Sequence, residues 1–108
     1  LHTRKDSAME ITLLLVPPGG GTVRSERRFE MPGPPRPGDH ISIARTDQHG
    51  TEDFTVRRTL WQLDAAAAAN TGIGTVRSVV VECEYVLGAQ SSRSHKDAMQ
   101  DYAARGRR

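Results

Sequence analysis

The chain has 108 residues, 15 of them basic and 13 acidic, with a single cysteine and a calculated isoelectric point near 9.1. That length supports one hydrophobic core and leaves two separate cores too small to stand alone, with about 60–70% of the unfolded chain's surface buried on folding. The longest uninterrupted run of large apolar residues, Leu13–Val16, is far short of the roughly 20 residues that a membrane helix needs, and one cysteine excludes an internal disulfide and points to a reducing, cytoplasmic setting.

Leu1–Ala8 is polar and patternless and reads as a tag or unstructured extension, with Met9 as the natural start. From Met9 to Ser92 there are eight arginines, no lysine and ten acidic residues, so this body is slightly acidic. The basic balance resides in the termini: Arg4 and Lys5 at one, Arg93, Lys96, Arg105, Arg107 and Arg108 at the other. A basic tail argues less for nucleic acid than a basic face does.

Glu10–Val16 has strand length and strand composition and stops at Pro17-Pro18, where the backbone loses its donors. Gly19-Gly20-Gly21 then turns the chain into a second strand, in which Arg24, Glu26, Arg28 and Glu30 share one parity and form a solvent-facing row. Pro32–Gly38 holds four prolines and is a connector. Asp39–Ala44 alternates into a short strand, Thr46–Gly50 is turn chemistry, and the next strand resumes at Phe54. Phe54 and Val56 share a parity that excludes Trp61 and Leu63, so a register break near Arg58–Leu60, before Trp61, would keep all four large side chains inside.

Asp64–Gly72, with five consecutive alanines, predicts a single helical turn over 65–70. Thr75–Leu87 is the longest strand candidate, carrying Val79, Val81, Cys83, Tyr85 and Leu87 on one face. Ser94–Asp97 has the order of a capping box and predicts a short, weak C-terminal helix with Ala98, Met99, Tyr102 and Ala103 on one face. The organisation expected is a polar extension at 1–8, one β domain at 9–90, and a basic tail at 91–108.

The fold class is therefore mostly β: a small five-stranded barrel or roll. Five strands in a meander with a helical turn before the last resemble the SH3-like small barrels over Met9–Gly88; an OB-like barrel or a two-sheet roll fits the same order nearly as well. Gly38-Asp39, then Phe54-Thr55-Val56, then Val79–Glu84 with its Val-Glu-Cys-Glu ending, is similar to a rhythm found in phage head–tail adaptor proteins. The rhythm is short enough to arise in any meander, and it assigns no family.

Candidate chemistry is sparse. Asp39, His40, Asp47 and His49 flank one hairpin but match no metal-ligand spacing, so no metal and no cofactor are expected. Cys83 lies within an apolar alternation and reads as a small hydrophobe rather than a nucleophile. Neither Gly19–Gly21 nor Gly72–Gly74 leads into a lysine or a long helix as a phosphate cradle would. Glu82 and Glu84 read as a solvated face. With no nucleophile, base and orienting group at a recognised spacing, the enzyme class has the least support. The reading favoured is a non-enzymatic protein-interaction or assembly module that contacts a protein partner or itself, with Trp61 and Leu87 near the contact. The alternative is a nucleic-acid-binding barrel using Arg27, Arg28, Arg57, Arg58 and Trp61.

Overall fold

The computed structural model describes residues 8–66 and 72–106. Five strands, β1 (Met9–Val16), β2 (Ser25–Met31), β3 (His40–Ala44), β4 (Thr51–Asp64) and β5 (Thr75–Tyr85), are followed by one helix, α1 (Arg93–Gly106). The strands form a single mixed sheet in the order β2-β1-β5-β4-β3. The mostly β class holds, but a simple meander does not, because β1 pairs in parallel with β5, Ile11 opposite Val79 through Val16 opposite Glu84. β1 is the most continuously apolar strand, and a place between β2 and β5 buries both its edges.

One face of the sheet carries the core: Ile11, Leu13 and Leu15 from β1, Phe54 and Val56 from β4, and Val79, Val81 and Cys83 from β5, all but fully buried. Each such aliphatic side chain contributes about 1.5–3 kcal/mol. Phe29, Met31, Ile41, Ile43 and Tyr85 close the rim. In a flat sheet β2 and β4 would stand about 14 Å apart, yet Arg27 of β2 makes a two-pronged ion pair with Glu52 of β4, at 2.7 and 3.2 Å. The sheet is curled into a half-barrel that brings these side chains together over the core face.

Turn chemistry follows the sequence closely at the first hairpin. Gly19, Gly20 and Gly21 all have φ between 86° and 122°, a region that L residues rarely enter. The Gly19 N–H donates to Glu84 Oε1, tying the turn to β5. At the end of the proline-rich connector, Gly38 N–H donates to the Val56 carbonyl and Val56 N–H donates to that of Asp39, so the β3–β4 ladder begins ahead of β3 itself.

The expected register break is present slightly earlier than predicted, between Val56 and Arg58. Its consequence differs from the expectation. The bulge does return Trp61 to the core-face parity, opposite Val79, but Trp61 stays 47% exposed and Leu63 64% exposed, because β4 and β5 run beyond the end of the core. The helical turn expected over 65–70 falls largely on 67–71, outside the described residues.

The C-terminal helix is longer than predicted, 14 residues, and its cap is Ser92 rather than Ser94: Ser92 Oγ accepts from His95 N–H at 3.1 Å. The segment leading into it is stitched to β4, with Thr51 N–H donating to the Gln90 carbonyl and Ser92 N–H to the Thr51 carbonyl. His95 is buried, stacked on Tyr85 and edge-on to Phe54, and Tyr102 meets Tyr85 edge-on. Gly50 makes this seam possible. Its φ is 87°, and a Cβ there would lie 2.7 Å from the Gln90 carbonyl oxygen and the Ser92 Cα. Gly50→Ala is expected to cost about 2 kcal/mol or more, from left-handed backbone strain and the displaced seam together, read as a lowered denaturation midpoint.

Candidate functional site

Three groups of side chains stand out once the fold is known, and the first is internal. Asp53 is 2% exposed and charged. Its Oδ1 accepts from Ser42 Oγ at 2.5 Å and His40 Nε2 at 3.1 Å, and its Oδ2 from Ser91 Oγ at 2.7 Å and Thr51 Oγ1 at 2.8 Å. The pairing of β3 with β4 places Ser42 directly opposite Asp53. Gly88 leaves room for the carboxylate, which a Cβ there would approach to 2.7 Å. Burial by itself would raise the carboxyl pKa; the four hydrogen bonds outweigh it and hold the group well below the usual carboxylate range.

Asp53, His40 and Ser42 have the residue types of a catalytic triad but not its wiring. Ser42 donates to the carboxylate itself, not to the imidazole, so no base is aimed at the hydroxyl. The cluster works as a clasp joining β3, β4 and the segment before α1. His40 is thereby turned toward Asp53, while Asp47 engages Arg45 and Asp39 accepts from Arg36 N–H. Among the described residues no group of three or more His, Cys, Asp or Glu side chains is placed to hold a metal. Cys83 is fully buried and its thiol is pushed up to about 12, by burial first and by the nearby Glu82 charge second, so it is no nucleophile near neutral pH.

The second group is ionic and lies on the face of the sheet away from the core. Arg57, extruded by the bulge, donates to Glu82 at 2.8 Å and stands 3.5 Å from Glu84; Arg58 donates to the other oxygen of Glu82 at 3.0 Å. The triglycine turn approaches Arg57 closely, since a Cβ on Gly20 would lie 3.1 Å from its guanidinium. Of the arginines proposed for phosphate contact, Arg57 and Arg58 are brought together here, adjacent to Leu60. Arg27 and Arg28 are not. Arg27 is turned over the core face to Glu52, and Arg28, on the opposite face, lies 3.4 Å from Glu10.

The third group is apolar. β1 reaches β5 only as far as Val79, so among the described residues those before Val79 in β5 have β4 as their sole strand neighbour. The result is a two-stranded arm, Gln62–Asp64 against Thr75–Ser78, with Leu60 and Trp61 at its base, held by cross-strand pairs of Arg77 with Asp64 and Ser78 with Gln62. Trp61 lies on the core-face parity; Leu60, next to it and opposite Val80, lies on the other, and both are about half exposed. Leu63 and Val76 pair across the ribbon nearer its tip and are more than half solvent-exposed or at that mark. Leu87, the other predicted contact residue, is also exposed but lies beyond β5, beside Met99 and Ala103 of α1 and away from this arm. No protein family, curated protein or solved structure matches the chain.

Proposed function

We propose that the protein is a non-enzymatic assembly module that associates with further copies of itself through the β4–β5 arm. What carries the reading is a ribbon with large apolar side chains on both faces that its own domain cannot cover. Isolated two-stranded ribbons are marginal in water, and exposed apolar patches of this kind are rare on monomers. A second chain's apolar surface would remove Leu60, Trp61, Leu63 and Val76 from water and stiffen the ribbon together. The ionic group at the base of the arm supports protein over nucleic acid as the partner, because Arg57 and Arg58 spend their charge on Glu82 and Glu84. A cytoplasmic site of action is part of this proposal, consistent with an unpaired thiol buried in the core.

Sedimentation velocity tests it. The wild-type protein is expected to form a defined oligomer that dissociates on dilution. The double variant Leu63→Ser/Val76→Ser, with both changes at exposed positions, is expected to remain folded and to associate at least about tenfold more weakly, since burying each side chain is worth more than 1 kcal/mol. A monomeric wild type, or a variant that assembles equally well, would count against the arm.

A further inference from the structure

We propose that a second contact between copies of this chain is made by β2, which pairs antiparallel with β2 of another copy about a twofold axis at Arg27. The proposal concerns a different surface from the arm and stands without it. Among the described residues β2 is an edge strand whose one hydrogen-bonded neighbour is β1. Along its outer edge the backbone groups of alternate residues are unpaired, a template that natural proteins cover or blunt.

The charges on this strand select the occupant. Glu26, Arg28 and Glu30 are exposed on the face away from the core, while Arg24, immediately ahead of the strand, holds its guanidinium over the Tyr102 ring of α1. Within the chain they are poorly matched. Glu30 lies opposite Glu10 of β1, Glu26 opposite Leu14, and Arg28 opposite Thr12, with only a long 3.4 Å contact from Arg28 to Glu10. Neither Glu26 nor Glu30 has an ion-pair partner among the described residues.

Side chains opposite one another in an antiparallel pair share a face, so the twofold must fall on a residue. An axis at Arg28 would overlap the whole strand but set Glu26 against Glu30 and Arg28 against itself. An axis at Glu26 sets Arg24 against Arg28. An axis at Phe29 sets Arg28 against Glu30 but leaves Glu26 opposite Pro32, whereas an axis at Arg27 sets Glu26 of each copy against Arg28 of the other and brings Glu30 opposite Arg24, which would leave the Tyr102 ring to meet it. Opposite charges facing across strands stabilise and like charges repel, so the register is chosen by charge. On the core face this axis brings the two Arg27 side chains opposite each other, and each is already neutralised by its own Glu52.

A charge exchange tests this in the Leu63→Ser/Val76→Ser background, where the arm is silenced, by sedimentation of each variant alone and of equimolar mixtures. Glu26→Arg alone places arginine against Arg28, and Arg28→Glu alone places glutamate against Glu26, each twice by symmetry. Each is expected to weaken dimerisation at least about tenfold while the fold, read by circular dichroism, is kept. Mixing the two variants makes both facing pairs between positions 26 and 28 complementary again and is expected to restore a dimer within about threefold of the parent affinity, a heterodimer only. The β2 contact is overturned by a parent that is monomeric with its arm silenced, by single variants that dimerise like the parent, or by a mixture that does not recover. None of these results bears on the arm, which is tested with β2 unaltered.

Discussion

Asp53→Ala is expected to lower the unfolding free energy by about 2–3 kcal/mol, measured by urea denaturation, because it removes the shared acceptor of three hydroxyls and an imidazole, of which Ser91 is buried, Thr51 half-buried, and Ser42 and His40 exposed. A buried group stranded without its partner costs about 1–3 kcal/mol, which applies in full to Ser91, whereas the exposed Ser42 and His40 turn to water and add little. Asp53→Asn keeps the volume and one acceptor oxygen and is expected to cost less. The pH dependence has a definite sign. The native carboxyl pKa is depressed, so the contribution of Asp53 is complete above the unfolded carboxyl pKa of about 3.9 and is lost progressively as the pH falls below it. Wild type and Asp53→Asn should therefore converge in stability under strong acid and differ most near neutrality. A constant difference across that range would contradict the clasp.

Phe54→Ala is expected to be at least as damaging, about 3–5 kcal/mol, the range for a buried aromatic truncated in a core. Phe54 has no exposed surface and meets both Tyr85 at a ring separation of 5.0 Å and His95 at 5.4 Å. It joins the sheet core to α1, and edge-to-face pairs add about 0.5–1.5 kcal/mol to the burial term. For a domain of this size each kcal/mol moves the melting temperature by about 4–8 °C. The helix signal should be lost at the same midpoint as the sheet signal, since His95 and Tyr102 dock α1 on that face.

Local pattern made most of the strands legible: β1 from its apolar run and the prolines behind it, β2 from its alternating charges, β5 from Val79, Val81 and Cys83 on one parity. The two hairpins were legible for the same reason, since turn residues lie between two alternating runs. The parallel pairing of β1 with β5 was not, because it joins residues about seventy positions apart and neither strand records its neighbour. The Asp53 clasp was half legible. His40 and Ser42 on one strand and Thr51 and Asp53 on the next are alternate polar residues that a known hairpin register would bring together, whereas Ser91 and Gly88 arrive from a distant loop. The register break near Arg58 was predicted from the assumption that large apolar side chains go inside. The bulge is there, but the assumption fails for Trp61 and Leu63, and that failure locates the arm. The charges of Arg57 and Arg58 were visible in the sequence, while their capture by Glu82 depends on the register between β4 and β5.

Trp61 is the only tryptophan in the chain and stands half exposed at the base of the arm, so its emission reports on the central claim without any label. Fluorescence should be followed from the dilute monomer to the assembled protein, with acrylamide quenching at each concentration. Assembly through the arm predicts a shift of the emission to shorter wavelength and a fall in quenching, both following the association seen by sedimentation. An indole whose emission and quenching stay unchanged while the protein associates would contradict the arm as the contact.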